Sequence, residues 1–282
     1  MYRVLHAVGL WTLAGTMATA ADKSGYSLAN PVPPALLRDF STDRPDQTES
    51  PYTVDAGHFQ VELDVVNLTN DRDRSGGADW HTRTWSIAPL NLKVGLTNRV
   101  DLQLMMDPWV STRAEDRRAG VTTRASGSGE VATRVKFNLW GNEGGATAFA
   151  VMPFVKWALP ASAIRNGKTE GGLILALGSS LPRGWAAGVM TEIDFVSDGA
   201  GGRDTEWLNS ITLSHDLTDR TGFYCEFAAL TGDAPGFEWQ GQIDVGLTHA
   251  LGPNLQLDLG CNFGVTKSAP DYQPFFGLSR RF

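Results

Sequence analysis

The sequence predicts an all-β protein, a transmembrane antiparallel up-and-down β-barrel of about 12 strands with a periplasmic N-terminal segment. Three observations predict this fold. The final residues alternate between apolar and polar side chains and end on an aromatic residue, Phe282. Short turns and longer polar loops alternate between strand-like segments along the chain. The first 20 residues have the pattern of an export signal.

Residues 1–20 are expected to be a cleaved signal peptide. Arg3 gives a basic start, residues 4–17 are mostly apolar, and Ala18-Thr19-Ala20 has the small-x-small pattern that signal peptidase requires. The apolar run is too short for a membrane-spanning helix, and no run of about 18 apolar residues follows it. We therefore expect export to the bacterial outer membrane, an irregular segment over 21–56 and a barrel over 57–282.

The composition agrees with a barrel that has one apolar face and one polar face. The chain has 31 Gly, 9 Trp and a mean hydropathy of −0.18, which is too polar for a bundle of membrane helices and too apolar for a disordered chain. Its formal net charge of −7 argues against nucleic acid as a partner.

Period-two alternation of apolar and polar residues recurs about every twenty residues from His58 onward. The clearest segments lie near 58–67, 100–107, 131–139, 237–247, 255–263 and 272–282, and less regular ones near 82–95, 146–158, 171–181, 185–196, 206–217 and 221–230. Most approach the ~9–11 residues that a tilted membrane strand requires. These segments predict the 12 strands.

The connections sort into two classes. Short turns lie near 96–99, 140–145, 181–184, 217–222 and 251–254, and longer polar loops near 69–80, 108–128, 160–170, 197–205, 231–236 and 266–271. Strict alternation of the two classes is typical of a barrel with short periplasmic turns and longer outer loops. A Greek-key sandwich would not sort its loops in this way. An even number of strands then places both termini on the periplasmic side.

The polar faces of the strands supply the candidate functional residues. We expect them to line one lumen: Glu62, Asp64, Lys93, Asp101, Gln103, Asp107, Arg134, Lys136, Lys156, Glu192, Asp194, Glu226, Gln240, Asp244 and Asp258. At about 12 strands the interior lies between the filled barrels of eight strands and the open ones of sixteen. Two interpretations stay open: a passage for solutes, or charges that pair across strands and fill a narrow, non-conducting barrel.

Residues 22–56 show no strand periodicity. Their start is rich in proline over 30–34, and 41–51 is polar. Because the segment enters from the periplasm, it is either a floppy leader or a plug that folds into the lumen. We expect partial occlusion, with Asp43, Arg44 and Asp46 pairing with charges of the lumen.

Two cysteines in an exported protein raise the question of a disulfide. Cys225 and Cys261 both fall on the lipid-facing side, with the strand over 237–250 between theirs. Strands lie about 4.8 Å apart, so the two Cα atoms would exceed the ~7 Å limit for a disulfide. We expect two free thiols that act as small apolar side chains.

We expect no enzyme, metal or cofactor. Residues 71–76 match the first half of a calcium loop, but Thr82 stands where a bidentate Glu is needed, and Arg72 and Arg74 oppose a cation. We expect His81 and His215 near the outer rim of the barrel, and Ser111, Ser126 and Ser214 are nucleophile candidates by residue type alone. No nucleophile elbow or matched acid–base pair accompanies them.

Several motifs resemble one known family. They are Thr42–Pro51 followed by Gly57–Glu62, then Gly127–Glu130 leading into Arg134–Leu139, then Met152–Lys156, and the ending Phe276–Phe282. Together they resemble the meta-pathway phenol-degradation family of outer-membrane transporter-like proteins, from about residue 40 to the end. This sequence departs from the family at Glu130, where Asp is expected, and at Arg280, where an aromatic residue is usual.

The resemblance implies a channel-like role in the uptake of small aromatic or other hydrophobic compounds. We therefore expect passive passage of a small-molecule solute, with a structural or surface-interaction barrel as the alternative. Expected partners are outer-membrane lipid, the solute and, during insertion, the barrel-assembly machinery, which would recognise Phe282 as an assembly signal.

Overall fold

A computed structural model describes residues 22–74 and 77–282 of the chain. The expected signal peptide, residues 1–20, lies outside the described residues. Two short 3-10 turns, Pro34–Leu36 and Pro182–Gly184, interrupt an otherwise all-β structure. Within the described ranges, no helix has the length and apolar character needed to cross a bilayer.

Fifteen strands follow one another along the described chain. They are β1 (Phe59–Asp73), β2 (Trp80–Ile87), β3 (Leu90–Thr97), β4 (Val100–Met106), β5 (Trp109–Asp116), β6 (Val121–Gly127), β7 (Val131–Trp140), β8 (Thr147–Lys156), β9 (Glu170–Ser180), β10 (Trp185–Ser197), β11 (Arg203–Asp216), β12 (Thr221–Gly232), β13 (Gln240–Gly252), β14 (Leu255–Gly264) and β15 (Tyr272–Arg281).

These segments form a closed antiparallel barrel of 12 strands, as predicted, because six of them make three interrupted strands. The interruptions fall at Ala88-Pro89 between β2 and β3, at Asp107-Pro108 between β4 and β5, and at 128–130 between β6 and β7. Proline has no N–H to donate to the ladder, which accounts for two of the breaks. On the periplasmic side of these interruptions, β3, β4 and β7 belong to the barrel wall. On the outer side, β2, β5 and β6 continue the sheet beyond the wall.

The last strand closes the barrel, as its sequence predicts. β15 pairs with β1 in the register Gln60 to Arg281 and Leu63 to Leu278. Beyond the end of β15, the Phe282 N–H donates to the Phe59 carbonyl at 2.8 Å. The first and last strands thus form one continuous seam.

Burial in the barrel is the reverse of that in a soluble protein. Gln103 is 0 % exposed and Asp258 1 %, whereas Phe59 is 54 % and Leu259 53 % exposed. The buried side chains point into the barrel and the exposed apolar ones point out, which is the arrangement of a barrel surrounded by lipid.

The predicted outer loop over 108–128 is wrong, since that region forms the β5–β6 hairpin. The predicted loop over 69–80 is also shorter, because β1 continues to Asp73 and β2 starts at Trp80. β6 has the sequence Val-Thr-Thr-Arg-Ala-Ser-Gly and most of its side chains are exposed. A period-two hydrophobic pattern arises only where one strand face meets lipid or a core, so a polar hairpin beyond the apolar band carries no such signal.

The two cysteines are free, as predicted. Cys225 on β12 and Cys261 on β14 both pair with Val245 of β13, which lies between them. A full strand therefore separates the thiols.

Candidate functional site

The N-terminal segment, residues 22–56, enters the barrel from the periplasmic end. Val32 and Ala56 are fully buried there. The Val54 N–H donates to Asp101 of β4 at 3.0 Å, which fixes the end of the segment to the inner wall. Ala56 forms a bridge with Gly95 of β3. A Cβ at Gly95 would lie 2.1 Å from the Asp55 carbonyl oxygen, so only glycine permits this close approach.

A four-residue charge network holds the middle of the segment. Lys136 of β7 donates to the Asp43 carboxylate at 2.5 Å, and Lys93 of β3 contacts both Asp43 and Glu62. The Asp43 N–H in turn donates to Glu62 at 3.0 Å. All four side chains are buried, and two cations balance two carboxylates. A buried charge persists only when it is paired in this way.

Arg44 joins the segment to the closing seam of the barrel. Its Nη2 atom lies 2.6 Å from a carboxylate oxygen of Asp64 on β1 and 2.6 Å from one of Asp258 on β14. The guanidinium also lies over the Phe275 ring, 5.6 Å from its centroid. A Cβ at Gly277 would be 2.2 Å from Nη2, so glycine at this position leaves the space that Arg44 occupies.

Glu226 of β12 binds the next part of the segment. Its carboxylate accepts hydrogen bonds from the N–H groups of Gln47 and Thr48, each at 2.8 Å, and from the Thr212 hydroxyl at 2.9 Å. Asp46 lies beside Thr212 and Glu226 and has no cation partner among the described residues. Asp46 therefore differs from Asp43 and Arg44, which both pair with charges of the wall.

The last residues of the polar stretch 41–51 are bound to the wall through their backbone carbonyl groups. Lys136 donates to the Ser50 carbonyl at 2.7 Å, and Asn138 donates to the Pro51 carbonyl at 2.9 Å. Glu49 forms an ion pair with Arg134. Nearly every residue from 43 to 51 thus contacts the inner wall, which explains why this stretch lacks any strand pattern of its own.

The structure separates the predicted lumen residues into two groups. Those that contact the segment are Glu62, Asp64, Lys93, Asp101, Gln103, Arg134, Lys136, Glu226 and Asp258. The remaining ones are Asp107, Lys156, Glu192, Asp194, Gln240 and Asp244; within the wall, Lys156 forms an ion pair with Glu170, and Asp244 accepts hydrogen bonds from Gln242. Lys156 and Asp194 lie toward the outer ends of their strands.

Sequence reasoning missed the polar, uncharged wall residues Asn138, Ser210 and Thr212. All three are buried and contact the segment. Their position could have been found from strand parity, because Asn138 shares a face with Lys136, and Ser210 and Thr212 share one face of β11.

A second missed group lies at the periplasmic mouth, around a cavity of about 630 Å³. Asp55 lies 3.3 Å from both the Arg38 and the Arg281 guanidinium. Lys23 and Arg38 both pair with Glu143, a residue of the β7–β8 turn, at 2.8 Å. Partial burial alone would raise the pKa of Glu143, but the hydrogen bond from Lys23 and the nearby charges of Arg38 and Lys23 hold this pKa below its usual value.

The segment lies between this periplasmic cavity and a cavity of about 1160 Å³ among the outer loops. Arg74, Glu238 and Lys267 line the outer one. The barrel therefore has an open space at each end and a charge-paired segment between them.

Comparison with known proteins identifies the family. The model of the family described as "Putative MetA-pathway of phenol degradation" matches residues 42–282, so the chain belongs to that family. No curated protein matches the sequence.

Two solved structures have a similar fold. An outer-membrane channel of Pseudomonas putida F1, from the group COG4313, has a TM-score of 0.59 and 12 % identity over 86 % of this chain and 100 % of its own. The transport unit of the Escherichia coli autotransporter AIDA-I has a TM-score of 0.51 and 11 % identity over 86 % of this chain and 93 % of its own. Together with the apolar outer band, these likenesses support an outer-membrane location.

Proposed function

We propose that this member of the phenol-degradation family is an outer-membrane channel for passive diffusion of small molecules, and that residues 22–56 act as a partial plug. The observation that carries the proposal is the buried contact of Asp43 with Lys93 and Lys136, which holds the segment across a polar-lined barrel between two open cavities. Diffusion down a gradient requires only a polar-lined path through the membrane.

Two of the comparisons support the class of function. The family is described by phenol degradation, and the Pseudomonas putida protein is described as a channel. Small aromatic or other hydrophobic compounds are therefore the proposed solutes. In this proposal the solute enters between the outer loops, passes beside the segment and leaves through the periplasmic cavity.

The plug acts through ion pairs that can exchange partners. Asp43 has two lysine partners, and Arg44 has two carboxylate partners. When Asp43 or Arg44 loses one partner, its charge stays paired with the second partner. The segment can therefore shift at a lower free-energy cost than a single buried ion pair would impose. Such a shift would widen the path beside the segment.

A structural barrel that passes nothing is the second candidate. It is favoured by the same network, because the segment crosses the middle of the barrel and many of its backbone groups are hydrogen-bonded to the wall. Conduction separates the two candidates.

Single-channel recording in planar bilayers tests the proposal, with the wild-type protein and a variant lacking residues 22–50. We expect a small conductance for the wild type and a larger one for the deletion. A heat-modifiable band on unboiled gels verifies that the deletion variant still forms a barrel. Absence of current from both folded proteins would establish the non-conducting barrel, and equal conductance would refute the plug.

Growth of cells that lack the protein, compared with wild-type cells across small aromatic carbon sources, tests the class of solute. A specific growth defect at low concentration of an aromatic compound is expected. Equal growth on all of them would contradict uptake of aromatic compounds.

A further inference from the structure

A smaller cavity of about 210 Å³ lies inside the wall next to the strand interruptions at Asp107 and Glu130. Met105 of β4 and Phe154 of β8 give it apolar sides, and Arg134 of β7 adds a charged group. An apolar cavity of about 150 Å³ is large enough to bind benzene. This cavity therefore has room for a single ring with a small substituent.

Arg134 is bound incompletely for a buried cation. Its side chain is 5 % exposed, and one nitrogen, Nη1, pairs with Glu49. The acceptor for Nη2 is the Met105 sulfur at 3.0 Å, while Nε has no hydrogen-bond partner in the described structure. A thioether is a weak acceptor, and a guanidinium has five N–H donors. A ligand oxygen at this end of the cavity would be a stronger acceptor than the Met105 sulfur.

The charges around the cavity favour a neutral ligand over an anion. Glu49 already balances Arg134, and Lys156 pairs with Glu170. Three acidic residues, Asp107, Glu130 and Glu192, also line the cavity. An added anion would meet these three groups without an unpaired cation to balance it. A hydroxyl group instead accepts a hydrogen bond from Arg134 and donates one to a carboxylate.

We propose that this cavity is a binding subsite for neutral, single-ring hydroxyl compounds. Phe154 and Met105 contact the ring, because a thioether packs well against an aromatic face, and Arg134 selects the hydroxyl group. This inference rests on the proposed function for the route of the solute. On that route, the subsite selects among solutes on the outer side of the segment.

Calorimetric titration of the purified protein in detergent micelles tests the subsite, with phenol, benzoate and toluene as probes and protein-free micelles as the blank. We expect phenol to bind more tightly than benzoate or toluene. Ala132→Leu fills the cavity from β7 and should weaken phenol binding about tenfold or more. Ala200→Leu, the same change in an exposed outer loop, should leave binding unchanged.

The polar contact is tested by the double variant Arg134→Gln with Glu49→Gln, which removes both charges of the ion pair together. Phenol binding should weaken about tenfold, since a hydrogen bond from a charged donor is lost, while toluene binding should not change. An equal loss for both probes would refute selection by Arg134.

Solute flux into proteoliposomes distinguishes this proposal from the proposed function. Unchanged phenol binding in Ala132→Leu would overturn the subsite even if the protein conducts. Loss of phenol binding in Ala132→Leu would support the subsite, and absent flux in the wild type would then refute the channel alone.

Discussion

The Arg44 guanidinium lies 2.6 Å from the Asp258 carboxylate, although the two residues are 214 positions apart in the chain. Arg44 belongs to the N-terminal segment, and Asp258 is a fully buried residue of β14. The same guanidinium contacts Asp64 of β1. One side chain of the segment therefore reaches wall strands on both sides of β15, next to the seam that closes the barrel.

A double-mutant cycle of Arg44→Met and Asp258→Asn should give a coupling energy of about 1–3 kcal/mol, because the pair is largely buried. Urea unfolding of the protein in detergent measures it. The exposed pair Arg113 and Glu115 of β5, 3.1 Å apart, is the control and should give a value near zero. Equal coupling in the two pairs would show that Arg44 does not anchor the segment.

Lys136→Met should loosen the segment. It removes one partner of Asp43 and the donor to the Ser50 carbonyl, so we expect a loss of roughly 3 kcal/mol of unfolding free energy and a larger single-channel conductance. Lys168→Met, the same change in an exposed outer loop, should alter neither quantity. A destabilised variant with wild-type conductance would contradict the role of Lys136 in holding the plug.

Gly246→Ala should destabilise the barrel by about 1–3 kcal/mol through overpacking. An added Cβ would lie 2.5 Å from the Tyr224 ring and 2.6 Å from the Leu259 carbonyl oxygen, and the backbone atom cannot move aside as a side chain can. Gly252→Ala in the same strand meets no atom within 4 Å and serves as the control. The midpoints of urea unfolding of the two variants give the comparison; similar midpoints would mean that Tyr224 does not pack tightly over Gly246.

Phe282→Ala should reduce the amount of folded protein in the outer membrane, because we propose that the assembly machinery recognises this terminal residue. Arg280→Tyr should not, although it removes a contact of Arg280 with the Phe282 ring, whose centroid lies 4.7 Å away. Such a cation–π contact contributes only about 0.5–1 kcal/mol at an exposed site. The ratio of folded to unfolded bands in membrane fractions is the measurement, and the opposite ranking of the two variants would overturn the prediction.

The sequence by itself determined the barrel, its 12 strands and the direction in which most side chains point. Strand periodicity is local: Val131 to Trp140 alternate because one face of β7 meets lipid and the other meets the interior. The same parity placed Lys136 and Asp258 inside. The order of the strands along the chain separated Cys225 from Cys261 by one intervening strand.

Only the tertiary structure decided which charges meet. Asp43 has no local reason to choose Lys93 and Lys136, since its partners come together only when strands 50 and 93 residues away close around the segment. The β5–β6 hairpin was hidden for the opposite reason, because exposed residues occur on both faces of β6 and leave its sequence without an apolar stripe. A pattern in sequence records the environment of each residue, whereas a pairing between distant residues depends on barrel closure and on the path of the segment inside it.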